Sequence, residues 1–197
     1  MLRRQFLRLS GVLLAGVWLA GCASPQYLQL SPERSGNVPQ TGSGQQVTVV
    51  AVDGRESEVI GTRAGGNMST AQITVNSHEL IPQLQAEAER AVREMGFNPT
   101  TEQAQGRPTL TLELASLHYG RGDSGQPLVD EARLEGVFRA IAKNKGTTYT
   151  GTYTSRRTQG YAVKPGEDTN TRMLNDLLSD GLNRAFNDPE LGRLLAR

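Results

Sequence analysis

The stretch ARLEGVFRAIAKNKGTTYTGTYTS, residues 132–155, carries the reading of the fold. In its first half Leu134, Phe138, Ala140 and Ala142 alternate with Arg133, Glu135, Arg139 and Lys143, the two-residue period of a strand with one apolar face. Asn144-Lys145-Gly146 is turn chemistry, because Asn and Gly accept the left-handed conformations a tight reversal needs. From Thr147 to Ser155 a second strand places Tyr149 and Tyr153 on one face, so the two strands pair as an antiparallel hairpin. Its threonines imply a sheet with one face partly in water.

Further strands and helices build outward from this hairpin. Leu110, Leu112 and Leu114 alternate with Thr109, Thr111 and Glu113, and the pattern slips at Ala115-Ser116-Leu117 as a β-bulge would make it slip. The β-branched run Val47–Val52, stopped by Asp53-Gly54-Arg55, reads as a buried strand ending in a turn. Short strands are expected at Val59-Ile60 and Ile73–Val75. Leu80, Ile81, Leu84, Ala88, Ala91, Val92 and Met95 recur at helical spacing from Ser77 to Met95, with Asn76 or Ser77 as cap and Gly96 as stop. A second helix is expected from Thr169 to Asn187, with Met173, Leu174, Leu177, Leu178, Leu182, Ala185 and Phe186 as its stripe. Asp188-Pro189 then starts a short terminal helix. The expected architecture is α+β: a two-layer sandwich, with a mainly antiparallel sheet of four to five strands, two long amphipathic helices and a short C-terminal one.

The composition excludes several classes. The chain has 197 residues, one Cys, two His and a net charge of +1, which offers neither an internal disulfide framework, an ordinary structural zinc site, nor a global case for nucleic acid. Its N-terminus is more specific. Arg3, Arg4 and Arg8 precede an apolar run from Leu9 to Ala20, too short to span a bilayer, that ends in Leu19-Ala20-Gly21-Cys22. This resembles a lipobox: Leu19, Ala20 and Gly21 suit signal-peptidase recognition, and the Cys22 thiol can accept a diacylglycerol thioether. The expected organisation is a signal peptide over 1–21, a lipidated Cys22 with a flexible tether over 22–46, and one periplasmic domain over 47–197. Such a tether, rich in Pro, Gly and Ser, would hold the domain about 25 to 30 Å from the bilayer. By resemblance to the bacterial sorting rule, Ala23 after the Cys favours the outer membrane. Arg3-Arg4 also resembles a twin-arginine export signal, although an ordinary secretory n-region accounts for the same residues.

The order of these features resembles the YajG family of bacterial lipoproteins. The resemblance rests on Leu19-Ala20-Gly21-Cys22, the Pro-rich segment, the strand Val47–Val52 with Asp53-Gly54-Arg55, the helix ending at Met95-Gly96-Phe97, the strand through Tyr153 and the Leu-rich C-terminal helix. It implies an outer-membrane lipoprotein of unknown molecular function, with no catalytic residues assigned.

No catalytic, metal or cofactor constellation stands out. Gly120-Arg121-Gly122-Asp123-Ser124-Gly125 matches a dinucleotide fingerprint and contains Arg-Gly-Asp-Ser, but it follows a strand and precedes another, so a hairpin loop is the better account. His78 and His118 lack partners in ligand spacing. The pairs Glu56/Glu58 and Asp176/Asp180, and the group Glu87, Glu89, Arg90 and Arg93, read as solvated surface. The positive signal is the cluster Tyr149, Tyr153, Arg156, Arg157 and Tyr161, residue types that interfaces use as anchors, although tyrosines packed on the helices with solvated arginines are the simpler account. The Gly-rich loop from Gly61 to Ser69 is a further candidate for ordering on a partner. The expectation is a non-enzymatic envelope module, anchored in the membrane through Cys22, facing the periplasm and binding a periplasmic protein or a peptidoglycan-related partner. The alternatives are a hydrolase or glycan-processing enzyme with a site visible only in space, and a structural protein assembling through an exposed edge strand.

Overall fold

A computed structural model describes residues 24–63, 71–126 and 129–197. The central hairpin is longer than expected. Strand β6 (Thr109–Gln126) runs antiparallel to β7 (Val129–Asn144), which pairs with β8 (Thr147–Tyr161) from Asp130↔Tyr161 to Asn144↔Thr147. A two-residue turn joins the last two, with Lys145 at φ 47° and Gly146 at φ 78°, the left-handed pair a tight hairpin needs. The pattern slip in β6 is a bulge between Leu114 and Ser116.

The sheet has eight strands and is mixed, which corrects the expected four to five mainly antiparallel ones. The reason is a crossover. β2 (Gln46–Asp53) lies parallel to β6, and α1 (Ser77–Glu94) packs across the pair. Four short strands complete the sheet: β1 (Gln26–Tyr27), β3 (Val59–Thr62), β4 (Gln72–Thr74) and β5 (Asn98–Thr100). β3 and β4 fall where short strands were expected, whereas β1 and β5, of two and three residues, carry too few alternations to announce a strand, and a parallel partner is chosen by tertiary packing rather than by local pattern.

The remaining helices, α2 (Glu167–Phe186) and α3 (Pro189–Leu195), pack on β7 and β8. Register places all three helices on one face. Val49, Leu110, Ala142 and Tyr149 stand in one row across four strands, and Ala51, Leu112, Ala140 and Gly151 in the next. These rows, with Leu114, Leu134 and Phe138, meet Leu84, Leu174, Leu178, Leu182 and Leu191 from the helices. α2 comes so close to the sheet that a Cβ on Gly181 would lie 2.7 Å from the Phe138 ring. The opposite face carries Thr111, Glu113, Arg139, Thr150 and Thr152, polar as the threonines implied.

Two further expectations are corrected. Residues 24–46 were expected to belong to a flexible tether; instead they form a strap laid over the helices. Leu28 and Leu30 are buried, and Gln26, Leu28, Leu30, Pro32 and Arg34 alternate with exposed neighbours as a strand would. Ser31 and Glu33 donate backbone N–H bonds to Asn175 Oδ1 and Ser179 Oγ, and Ser35 and Gly36 both donate to Asn183 Oδ1. Asn175, Ser179 and Asn183, one turn apart on α2, thus hold a backbone that composition alone reads as unstructured. From α1, Glu87 accepts from the Arg34 N–H and Arg90 donates to the Arg34 carbonyl, so this group is not merely solvated surface. The second correction concerns Gly120–Gly125, which lies within β6 rather than in a hairpin loop.

Candidate functional site

The predicted aromatic and guanidinium cluster is divided by the sheet. Alternation along β8 sends Tyr149, Tyr153, Arg157 and Tyr161 to the helical side and Arg156 to the other. Tyr149 and Tyr153 both donate hydroxyl bonds of 2.6 Å to Asp188 Oδ2, while Asp188 Oδ1 accepts the Glu190 N–H and caps α3. Burial pushes the Asp188 carboxyl up, but the two phenols, the capping amide and the Arg193 charge together hold it below the usual carboxylate range. The same arrangement raises both phenols, Tyr149 chiefly through the hydrogen bond to Asp188 and Tyr153 chiefly through burial. Arg157 pairs with Asp176 at 2.8 Å and Arg156 with Glu135 at 2.6 Å. Burial raises Tyr161 while the nearby Arg121 charge opposes it. These side chains fasten β8 to α2 and α3 and to its neighbour strand.

Of the carboxylate pairs, Asp176, Asp180 and Glu58 are occupied, whereas Glu56 lines a cavity at the sheet edge. Asp180 accepts from Ser155 Oγ and Arg184, and Glu58 accepts the Ser77 N–H, replacing the absent side-chain cap of Asn76 at the start of α1. His78 is exposed beside Glu79. No group of three or more His, Cys, Asp or Glu among the described residues is placed to hold a metal. Leu19, Ala20, Gly21, Cys22, Arg3 and Arg4 lie outside the described residues, as do positions 64–70 of the Gly-rich loop.

The structure instead opens a notch in the sheet where β6 exchanges partners. β2 follows β6 from Thr109 to Leu114, and the Gly54 N–H closes this pairing on the Leu114 carbonyl at 3.0 Å. β3 meets β6 only at Tyr119, opposite Gly61. Over Ala115–His118, β6 keeps β7 on one side and, among the described residues, has no strand on the other. Glycine makes both ends: a Cβ on Gly54 would lie 2.2 Å from Glu113 Oε1, and one on Gly61 would lie 1.9 Å from the Tyr119 carbonyl oxygen.

The resulting cavity, about 350 Å³, is lined by Arg55, Ser57, Val59, Ser116 and His118 among others. Arg55 is its chemical centre. Its side chain is only 2% exposed, fixed by Asp53 through Nε–Oδ1 at 2.8 Å and Nη2–Oδ2 at 2.7 Å, with Nη2 also donating to the Val75 carbonyl at 3.0 Å. Nη1 is buried with no acceptor among the described residues. A buried guanidinium donor left unpaired is costly, and this one lies behind the cavity wall rather than open to it. Burial raises the Asp53 carboxyl, and the bonds and charge of Arg55 outweigh this and hold it low. His118, which lacks a ligand partner in sequence spacing, is exposed and lines this cavity. The sequence reading took Asp53-Gly54-Arg55 only as a strand end; the signal available was an acid and a base flanking a glycine where a buried strand stops.

Solved structures of similar fold are remote in sequence. Protein XCC0632 from Xanthomonas campestris, of family model DUF330, is 13% identical with a TM-score of 0.51, covering 86% of this chain and 95% of that one. An uncharacterized protein is 16% identical with a TM-score of 0.45 over 83% and 98% of the two chains. PelC from Paraburkholderia phytofirmans, solved as a dodecamer, is 15% identical with a TM-score of 0.35 over 77% and 92%. No curated protein matches the chain. No helix among the described residues is long and apolar enough to cross a membrane. The family model Lipoprotein_16, described as uncharacterized lipoprotein, matches residues 32–196, and the chain belongs to that bacterial lipoprotein family.

Proposed function

We propose that this protein is an outer-membrane, periplasm-facing lipoprotein of the YajG type, anchored through acylated Cys22, whose domain is a non-catalytic binding module. The observation that carries the binding role is the notch beside Ala115–His118, where among the described residues a stretch of strand edge has no neighbouring strand and a cavity opens beside it. The ligand class is an extended peptide segment of a periplasmic protein. Strand edges recognise such segments through main-chain bonds. The Tyr149–Tyr161 cluster, whose groups already serve one another, has no part in this reading.

A photocrosslinking residue placed at Ser57 or His118 in cells tests it, with Thr150 on the open sheet face as comparison. A discrete protein adduct from the first two positions, absent at Thr150 and abolished by the notch-filling Ser116→Trp, is expected. Equal diffuse labelling at all three, or an adduct indifferent to Ser116→Trp, overturns the assignment. A second reading, self-assembly, has one observation in its favour: β8 pairs with β7 alone among the described strands, leaving one long edge uncovered. Concentration-dependent size in solution, removed by Thr152→Pro, would favour it.

A further inference from the structure

The open face of the sheet carries a charge pattern complementary to itself. On β7 the side chains of this face are Glu131, Arg133, Glu135, Val137, Arg139, Ile141 and Lys143, exposed or half-buried, and those between them are buried. Val137 is the midpoint. Two residues to either side of it stand Glu135 and Arg139, and six to either side stand Glu131 and Lys143. Both pairs are of opposite sign, and between them Arg133 matches the uncharged Ile141. A second copy of the strand, laid over the first in reverse, therefore sets each acid on a base.

The strands beside β7 put small or β-branched side chains around this midpoint. Val137 stands in one row with Ser116 and Thr154, and Ile141 with Val50, Thr111 and Thr150. Among the described residues no helix packs here, because the helices meet the buried side chains of the other face. The charges remain accessible. Arg139, paired with Glu113, has 47% of its side chain exposed, and Glu135, paired with Arg156 at 2.6 Å, has 39%. Exposed pairs of this kind contribute little on their own and leave room for a further partner of opposite sign.

Two sheets packed face to face lie about 10 Å apart, a gap that a glutamate and an arginine reaching from opposite sides close between them. Two copies of one chain can meet in this way about either of two axes in the plane between the sheets. An axis along β7 keeps the strands parallel and sets Glu135 against Glu135 and Arg139 against Arg139. An axis across the strands at Val137 reverses them and sets Glu135 of each copy against Arg139 of the other, with Val137 on Val137. The rotation of about 30° between packed sheets carries rows far from the axis out of register, so the pairs nearest Val137 make the fit and Glu131 with Lys143 act at longer range.

We propose that two copies of this protein pack through the open sheet face about the second axis, each Glu135 bound to the partner's Arg139. The contact occurs twice by symmetry, and the centre that loses water holds Val137, Ser116 and Thr154 of both copies. Ile141 lies under the methylene stem of the partner's Arg133. The interface is centred on β7. It goes beyond the notch, which opens at the edge of β6, and differs from assembly through the free edge of β8, in which the two sheets lie side by side.

The test places a photocrosslinking residue at Val137 of the full chain in cells. An adduct of twice the chain's mass is expected, reduced about tenfold by Arg139→Glu, which sets acid against acid across the axis, and restored by Glu135→Arg/Arg139→Glu. Within its own chain each reversed residue still stands beside a like charge, at Glu113 and at Arg156, so restoration comes only from across the axis. Pairing through the β8 edge leaves Val137 facing water and gives no such adduct. Absence of the doubled adduct at Val137, its indifference to Arg139→Glu, or its failure to return in the double variant overturns the interface. A doubled adduct at Thr150 belongs to this interface, whereas the notch is read at Ser57 by an adduct of another mass, so either reading can fail and leave the other standing.

Discussion

The backbone N–H of Gly36 donates to the side-chain oxygen of Asn183 at 2.7 Å, joining points 147 positions apart in the chain. That oxygen also receives the Ser35 N–H, so one amide on α2 satisfies two consecutive donors of the strap. Strap and domain are thereby one folded unit.

Asn183→Ala leaves both donors without their acceptor. A loss of about 1 kcal/mol is expected, since the Gly36 N–H is partly buried while the exposed Ser35 N–H can turn to water. Hydrogen exchange of the Ser31–Gly36 amides should accelerate at least tenfold before the β6–β7 core responds; simultaneous acceleration of strap and core would contradict a locally held strap.

Gly181→Ala should destabilise the protein by about 1 kcal/mol or more, although alanine favours the helix by about that amount. The added methyl would meet the fully buried Phe138 ring at 2.7 Å. Combining it with Phe138→Leu should cost less than the two separate losses added, which a double-mutant cycle from urea unfolding would read.

Gly61→Ala should detach β3 from β6, because its Cβ would stand 1.9 Å from the Tyr119 carbonyl oxygen. Faster exchange confined to β3 and β4 and a lowered Tm are expected; an unchanged Tm would mean that β3 contributes nothing to the fold.

The Asp188 site sets an acid limit. Its folded pKa lies below the ordinary 3.8, so it adds stability at pH above that value and loses it as pH falls through the depressed one. Removing both phenol donors in Tyr149→Phe/Tyr153→Phe should lower Tm at pH 7 and flatten its fall between pH 5 and 2. An acid limb unchanged by the double variant would place the proton uptake elsewhere.

At alkaline pH the sign reverses. Burial, with a contribution from neighbouring Tyr161, pushes the Tyr119 hydroxyl from 10 up to about 12. The unfolded chain therefore loses this proton first, and stability present below pH 10 declines as pH rises toward 12. Tyr119→Phe should show a shallower decline of Tm over that window.

The helices were legible in sequence because burial at three- and four-residue spacing is a local property: Leu84, Ala88, Ala91 and Leu174, Leu178, Leu182 mark their core faces without reference to anything else. The hairpin at Lys145-Gly146 and the bulge after Leu114 were legible for the same reason, since turn chemistry and a broken alternation need no partner to be seen. The strap was not. Prolines, glycines and serines are what a loose segment and a fully hydrogen-bonded extended one have in common, and Asn175, Ser179 and Asn183 look equally polar whether they face water or a backbone. The notch at Arg55 was hidden by the same limit. Alternation and turn residues determine where strands start and stop, whereas which strand lies beside β6 at each height, and where none does, depends on how distant segments pack; only the tertiary structure decides it, because an edge is left open by the absence of a neighbour rather than by any residue in the edge itself.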